Sequence, residues 1–127
     1  MQTNGSLYEA AGGMPFFEAL VGRFYDGVAG DPELLSVYPH PNDLSEARRK
    51  LTLFLAEYWG GPPTYFTEYG HPRLRMRHLP FDITRDARNR WLAHMRAAVE
   101  ALSPPPEIAQ ALLQYFEVGA EALRNQD

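Results

Sequence analysis

The chain has 127 residues, of which 45% are hydrophobic and 13% aromatic, with a formal net charge of −4 and no cysteine. This length and composition predict one globular domain over residues 1–127, with no transmembrane segment, no nucleic-acid partner and a cytoplasmic location. Because cysteine is absent, disulfides, zinc–thiolate sites and iron–sulfur clusters are excluded.

A loose leader and one long helix are predicted at the N-terminus. Residues 1–11 form the leader, and Gly12-Gly13 breaks the chain before a helix that Pro15 can open, since proline is tolerated in a first turn. The helix ends at Gly30-Asp31-Pro32. Its apolar residues recur with helical period and form one wide stripe. They are Phe16, Phe17, Leu20, Val21, Phe24, Tyr25 and Val28.

The middle of the chain predicts a helical turn and a second long helix. The turn covers residues 33–37 and leaves Tyr38 at its edge. Asp43 with Glu46 three residues later has the spacing of a helix cap. Two glycines and two prolines over residues 60–63 end the helix that follows. One face of this helix carries Leu44, Ala47, Leu51, Phe54, Leu55 and Tyr58.

The second half of the chain predicts a loop, a short helix and two long helices. Residues 62–72 form the loop, and the short helix runs from Pro72 through Leu79. Thr84 or Asp82 caps the next helix, whose stripe is Ala87, Trp91, Met95, Ala98 and Leu102. After three prolines, the last helix aligns Ile108, Leu112, Tyr115 or Phe116, Gly119 and Leu123. No alternating strand pattern occurs, so the sequence predicts an all-α fold.

Histidine is the residue type most relevant to metal chemistry in this chain. No two of the four histidines have the i,i+4 spacing of a helical zinc site. His78 lies on the short basic helix, with Leu74 and Leu79 as apolar neighbours. A neutral imidazole is the commonest protein ligand of transition metals. The spacing alone nevertheless leaves His78 open between a metal ligand and an ordinary structural histidine.

Three polar aromatic residues, Tyr25, Tyr38 and Trp91, lie on or at the edge of otherwise apolar stripes. A buried tyrosine hydroxyl or tryptophan N–H normally needs a hydrogen-bond partner. Each of the three could donate to a backbone carbonyl across the core. Alternatively, they could converge on a ligand inside a dry pocket, and the pattern alone leaves both interpretations open.

Several motifs taken in succession resemble one protein family. They are Phe24-Tyr25, Tyr38-Pro39, Tyr58-Trp-Gly-Gly-Pro62, Gly70-His-Pro-Arg-Leu-Arg-Met-Arg-His78 and Trp91. Together they resemble a truncated haemoglobin, and group II in particular, over nearly the whole chain. The resemblance implies a globin-like fold, the truncated two-over-two helical sandwich, which holds one haem b.

The resemblance also implies roles for individual residues. It makes His78 the proximal ligand of the haem iron. The distal polar cluster comprises Tyr25, Tyr38 and Trp91, and the small residue Ala47 lies at the distal opening. The remaining haem contacts, which line the apolar slot or lie near the propionates, are Lys50, Leu51, Phe54, Tyr65, Leu74, Arg77, Phe81 and Met95.

The function implied by the resemblance is the binding of oxygen and other small ligands, namely CO, NO or peroxide, at the open axial position of the iron. Three distal donors predict slow oxygen loss. Slow loss suits storage, sensing or redox chemistry, such as nitric oxide detoxification or peroxide reduction with an external reductase. A homo-oligomer is compatible with the sequence. Two alternatives stay open: a haem-free helical interaction domain, and a small non-haem metal protein that uses His71 and His78.

Overall fold

Helices account for most of the chain in the computed structural model, which describes residues 6–78 and 80–126 but not the side chain of Arg75. Eight α-helices and no strand occur in these residues, which confirms the all-α prediction. Leu79, which was predicted to end the short helix, and residues 1–5 of the predicted leader lie outside the described residues. The helices are α1 Leu7–Ala11, α2 Met14–Ala29, α3 Pro32–Leu35, α4 Ser45–Tyr58, α5 Thr64–Tyr69, α6 Leu74–His78, α7 Arg85–Leu102 and α8 Pro106–Leu123.

The core forms around α2, which packs against both α4 and α7, and α7 in turn packs against α8. The predicted stripe on α2 supplies much of this core because its apolar residues recur every three to four positions. Burying each large apolar side chain stabilises the fold by about 1.5–3 kcal/mol. The buried residues of α2 are Phe17, Leu20, Val21, Phe24, Tyr25 and Val28.

The α7 and α8 helices contribute much of the remaining core. The Thr84 hydroxyl accepts a hydrogen bond from the Ala87 N–H at 3.0 Å, so Thr84 and not Asp82 caps α7. The buried residues of the two helices are Ala87, Met95, Ala98, Val99, Ile108, Leu112 and Phe116. Within the residues that the structure describes, no helix has the length and apolarity needed to cross a membrane.

The N-terminal segment corrects one prediction, because Leu7–Ala11 is helical and does not belong to a loose leader. The Ser6 hydroxyl accepts a hydrogen bond from the Glu9 N–H at 3.2 Å and caps this helix. The Tyr8 N–H donates to the Trp59 carbonyl at 3.0 Å. This contact ties the segment to the end of α4, so the helix is held by the fold as well as by its own cap.

The predicted loop over residues 62–72 also contains a helix, α5. The Phe66 N–H, near the start of this helix, donates to the Glu57 carboxylate at 3.0 Å. The Thr67 hydroxyl donates to the Pro63 carbonyl at 2.9 Å. Because Glu57 belongs to α4, the start of α5 depends on a contact that the local sequence pattern does not contain.

Helix α4 differs from the prediction in two details. Asp43 accepts hydrogen bonds from the N–H and the hydroxyl of Ser45, at 3.0 and 2.6 Å, so it holds Ser45 and not Glu46. Tyr58, which was predicted on the inner face, is 55% exposed. Other residues of the predicted face line a cavity, and these are Ala47, Leu51, Phe54 and Leu55.

Candidate functional site

A cavity of about 360 Å³ is lined by residues from α2, α4, α6, α7 and α8, from the chain around α3, and from α5. Its volume lies within the range of roughly 300–1,000 Å³ that is typical of ligand pockets. Most of its surface is apolar. The structure brings together nearly all of the predicted site residues here, namely Tyr25, Tyr38, Ala47, Lys50, Leu51, Phe54, Tyr65, Leu74, Arg77, His78, Phe81 and Trp91.

Met95 was predicted to contact the haem, but the structure places it outside the cavity lining. Its side chain is fully buried in the core and does not belong to the cavity lining. Trp91 lies one turn earlier on α7 and does line the cavity. The stripe on α7 therefore passes from the cavity into the core between these two residues. Helical spacing grouped them on one face but could not show where the cavity ends.

His78 is held so that one defined ring nitrogen is free for a ligand. Its Nδ1 lies 2.6 Å from the Leu74 carbonyl oxygen, one helical turn earlier. A carbonyl only accepts hydrogen bonds, so Nδ1 carries the proton and Nε2 keeps its lone pair. The ring is half-buried and lines the cavity. Orientation by such a second partner is the usual arrangement of a histidine that ligates a metal.

The chain after His78 is held by a residue beyond the last helix. The Asn125 side-chain amide donates to the Phe81 carbonyl at 2.9 Å and to the His78 carbonyl at 3.4 Å. The Gln126 amide adds a contact to the Asp82 carboxylate at 3.2 Å. The placement of His78 thus depends on the segment after α8, and no motif in the sequence indicates this.

The predicted polar aromatic residues form one cluster in the cavity wall. The Tyr25 and Tyr38 rings meet edge to face, with 5.7 Å between their centroids. Burial raises the pKa of Tyr25 to about 12, although a hydrogen bond with Tyr38 and the Arg48 guanidinium oppose the rise. Burial also raises the pKa of Tyr38 well above its ordinary value, with Tyr25 adding to the rise and a hydrogen bond with Trp91 opposing it. Both phenols therefore stay protonated at neutral pH.

We infer an order for the hydrogen bonds of this cluster from which side chains can donate. The indole N–H of Trp91 can only donate, so the Tyr38 oxygen accepts it. The Tyr38 proton is then available to the Tyr25 oxygen. The Tyr25 proton is left as the one that the cluster does not use internally.

Three basic side chains belong to the cavity lining. The Lys50 ammonium stands 5.2 Å from the centroid of one tyrosine ring and forms no ion pair within the described part of the chain. The Arg77 guanidinium donates to the Tyr65 hydroxyl at 3.4 Å and to two backbone carbonyls before α6, each at 3.1 Å. Arg88 pairs with the Glu121 carboxylate. Lys50 is therefore the lining cation whose charge is least engaged by protein partners.

Further residues line the cavity but were not among the predicted site residues. Gly119 and Leu123 had a signal that could have identified them, since both lie on the predicted stripe of the last helix. Arg88, a charged residue of α7, had none. The complete set is Leu34, Val37, Pro39, Leu55, Ile83, Ala87, Arg88, Tyr115, Phe116, Gly119, Ala120 and Leu123.

The side chains around the cavity fit the haem that the resemblance implies. A flat apolar cofactor with an iron and two carboxylates needs an apolar cavity, a nitrogen ligand for the iron and a cation for the carboxylates. His78 supplies the nitrogen and Lys50 supplies the cation. The alternative of a non-haem metal protein built on His71 and His78 gains no support. The residues that the structure describes contain no group of three His, Cys, Asp or Glu side chains able to hold a metal.

The chain is similar to known globins over nearly its full length. The bacterial-like globin family matches residues 6–125. The group 2 truncated hemoglobin YjbI of Bacillus subtilis (strain 168) is 41% identical over 125 residues, which cover 98% of this chain and 92% of that protein.

Solved structures show the same similarity. The thermostable hemoglobin from the actinobacterium Thermobifida fusca matches with a TM-score of 0.92 and 50% identity, covering 95% of this chain and 98% of that one. The group II truncated hemoglobin from Bacillus anthracis matches with a TM-score of 0.93 and 35% identity, covering 99% of this chain and 96% of that one. The present fold therefore superposes on both structures almost from end to end.

Proposed function

Because the chain belongs to the bacterial-like globins, among the group II truncated haemoglobins, we propose that it holds haem b in the cavity and binds oxygen there. Haem binding as such follows from membership of a globin family. One observation carries the assignment of the site. The imidazole of His78, with its Nδ1 bound to the Leu74 carbonyl, lines an apolar cavity and has its Nε2 free.

Different lining residues would bind different parts of the cofactor. His78 Nε2 would ligate the iron, and the Lys50 ammonium would pair with a propionate. Leu51, Phe54 and Leu74 cover the apolar ring. When bound, haem would supply the iron at which a diatomic ligand binds.

The distal cluster stabilises such a ligand by presenting one oriented proton. Trp91 orients the Tyr38 hydroxyl, and Tyr38 orients Tyr25, whose remaining proton is donated to the ligand. In a site that excludes water, a hydrogen bond to a charged acceptor contributes about 1.5–3 kcal/mol. We therefore expect slow oxygen release, which suits storage or sensing better than rapid transport.

The same donors suit redox chemistry with nitric oxide or peroxide. A phenol that stays protonated at neutral pH, such as Tyr25, can donate a hydrogen bond to a reacting oxygen atom. Nitric oxide detoxification and peroxide reduction both require electrons to restore the starting state. This branch of the proposal therefore includes an external reductase. It places the activity in the reducing cytoplasm. Carbon monoxide would compete for the same binding position.

An absorption spectrum of the haem-loaded protein in its ferric, ferrous and CO forms tests the proposal. We expect a haem b spectrum with one-to-one binding, and we expect His78→Ala to lose or strongly disturb it. His71→Ala is the matched control, because His71 is exposed and lies outside the cavity lining, and it should keep the parent spectrum. A protein that takes up no haem would overturn the proposal and leave a haem-free helical interaction domain.

A further inference from the structure

A series of aromatic contacts connects the cavity with the protein surface. Tyr115 of α8 lines the cavity, and its ring centroid lies 4.3 Å from that of Tyr58. Trp59 is half-buried and contacts both of these rings, with 4.9 Å to each centroid. Tyr58 is 55% exposed, and the other tyrosines are buried or half-buried. Two adjacent phenols thus span the distance from the cavity lining to solvent.

Positive charges distinguish this pair from other tyrosines near the cavity. The Arg48 guanidinium carbon lies 5.8 Å from the Tyr25 ring centroid, and the Lys50 ammonium lies 5.2 Å from that of Tyr69. A neighbouring cation makes the removal of an electron from a ring more costly, because the positive charges repel one another. Tyr58 has no such contact within the described residues. Oxidation is therefore more favourable at Tyr58 than at Tyr69.

The fate of the phenol proton also favours Tyr58 as the final electron donor. Burial raises the pKa of Tyr115 to about 12, with a smaller contribution from Tyr58, so the Tyr115 proton leaves with difficulty. The exposed Tyr58 can release its proton to water. An oxidising equivalent that reaches Tyr115 is thus stabilised by moving on to Tyr58.

We propose that Tyr58 is the surface exit for oxidising equivalents from the cavity, with Tyr115 as the relay, and that it is a site of oxidative tyrosine coupling. This inference rests on the peroxide branch of the proposed function. Overall, one hydrogen peroxide and two protein molecules give two waters and one dityrosine. The O–O bond breaks, each Tyr58 gives up one electron and one proton, and a C–C bond forms between the two phenol rings. Because the oxidising equivalent moves to Tyr58, this route protects Tyr25, Tyr38 and Trp91 from oxidation.

The test uses the full chain, loaded with haem and treated with hydrogen peroxide in the absence of any other reductant. Haem absorption, peroxide consumption and dityrosine fluorescence are followed together, and cross-linked dimers are mapped by peptide mass spectrometry. We expect dimers joined through Tyr58. Tyr58→Phe should lose them and keep the haem content of the parent. With a small phenol added as the electron source, it should also keep the parent's peroxide consumption.

Tyr69→Phe is the matched control. Tyr69 also contacts a tyrosine of the cavity lining, since its ring centroid lies 5.1 Å from that of Tyr65. This variant should form as much dimer as the parent. Tyr115→Phe tests the relay. It should form less dimer with peroxide, although its Tyr58 should still couple when a diffusible one-electron oxidant is added.

The outcomes separate this inference from the proposed function. Undiminished dimers in Tyr58→Phe, or coupling mapped to Tyr69, would overturn the inference because another exit would then operate. Peroxide consumption without dityrosine would overturn it and leave the proposed function intact. A haem-loaded parent that consumes no peroxide would overturn the peroxide branch, and this inference with it.

Discussion

Asn125 and Ile83 exchange two hydrogen bonds although they lie 42 residues apart in the chain. The Asn125 N–H donates to the Ile83 carbonyl, and the Ile83 N–H donates to the Asn125 side-chain oxygen, both at 2.9 Å. Together with the bonds from Asn125 to Phe81 and His78, this exchange closes the α6–α7 connection onto the end of α8. A residue outside every helix thus fixes the side of the cavity that carries His78.

Asn125→Ala removes the side-chain part of this arrangement. We expect the free energy of unfolding to fall by about 1–2 kcal/mol, because hydrogen bonds with net contributions of roughly 0.5–1.5 kcal/mol each are lost at an exposed site. Urea denaturation of parent and variant measures the difference. Gln126→Ala is the control and should stay within about 0.5 kcal/mol of the parent. Equal stability of Asn125→Ala and the parent would show that these bonds are dispensable.

Tyr25→Phe removes the proton that the distal cluster does not use internally. We expect oxygen to dissociate about ten- to a hundred-fold faster, because the loss of roughly 1.5–3 kcal/mol of stabilisation changes a rate by about that factor. Trp91→Phe removes only the orienting donor and should cause a smaller increase. Stopped-flow displacement of oxygen by CO measures both rates. A larger effect of Trp91→Phe would contradict the order of donors inferred for the cluster.

Ala47→Trp tests the entry of ligands. Ala47 is a small, half-buried residue of the cavity lining on α4. A tryptophan there should narrow this part of the cavity and slow CO association, as measured by flash photolysis of the ferrous carbonyl form. Glu46→Trp is the matched control, since Glu46 is the exposed neighbour outside the lining. Unchanged association in Ala47→Trp would mean that ligands enter elsewhere.

Alkaline solution should destabilise the protein through its buried phenols. Burial raises the pKa of Tyr25 from its ordinary value of 10.0 to about 12, and that of Tyr38 also rises. The contribution of these two phenols to the free energy of unfolding is fully present below pH 10. Above it, the unfolded chain loses protons that the folded chain keeps, so the free energy of unfolding falls by about 1.4 kcal/mol per pH unit for each phenol. Urea unfolding between pH 9 and 12 should show a shallower fall for Tyr25→Phe, and parallel curves would contradict this explanation.

The long helices and the family could be predicted because they rest on local pattern. The stripe on α2 keeps its helical period over four turns, and its members are buried as expected except Phe16, which is half-buried. The motif that ends in His78, together with Tyr25, Tyr38 and Trp91, carried the resemblance to group II truncated haemoglobins, which is confirmed. These residues also lie together around one cavity, as the resemblance implied.

The features that the sequence did not predict depend on contacts between distant residues. Helix α5 begins where Glu57 of the preceding helix accepts a backbone N–H. Asn125 reaches the α6–α7 connection only when the chain is folded. Met95 lies on the same stripe as Trp91, but Met95 is buried in the core and Trp91 lines the cavity. Periodicity identifies the buried face of a helix but not what lies opposite it.

Gly119 lines the cavity, and a Cβ atom added there would meet no atom within 4 Å. The helix backbone at this position does not require glycine, and no protein atom stands in the way of a small side chain. Gly119→Ala should therefore be accepted without displacing the helix, and larger residues at this position would reach into the cavity. For protein engineering, Gly119 is the point at which this scaffold could be adapted to a porphyrin of different bulk.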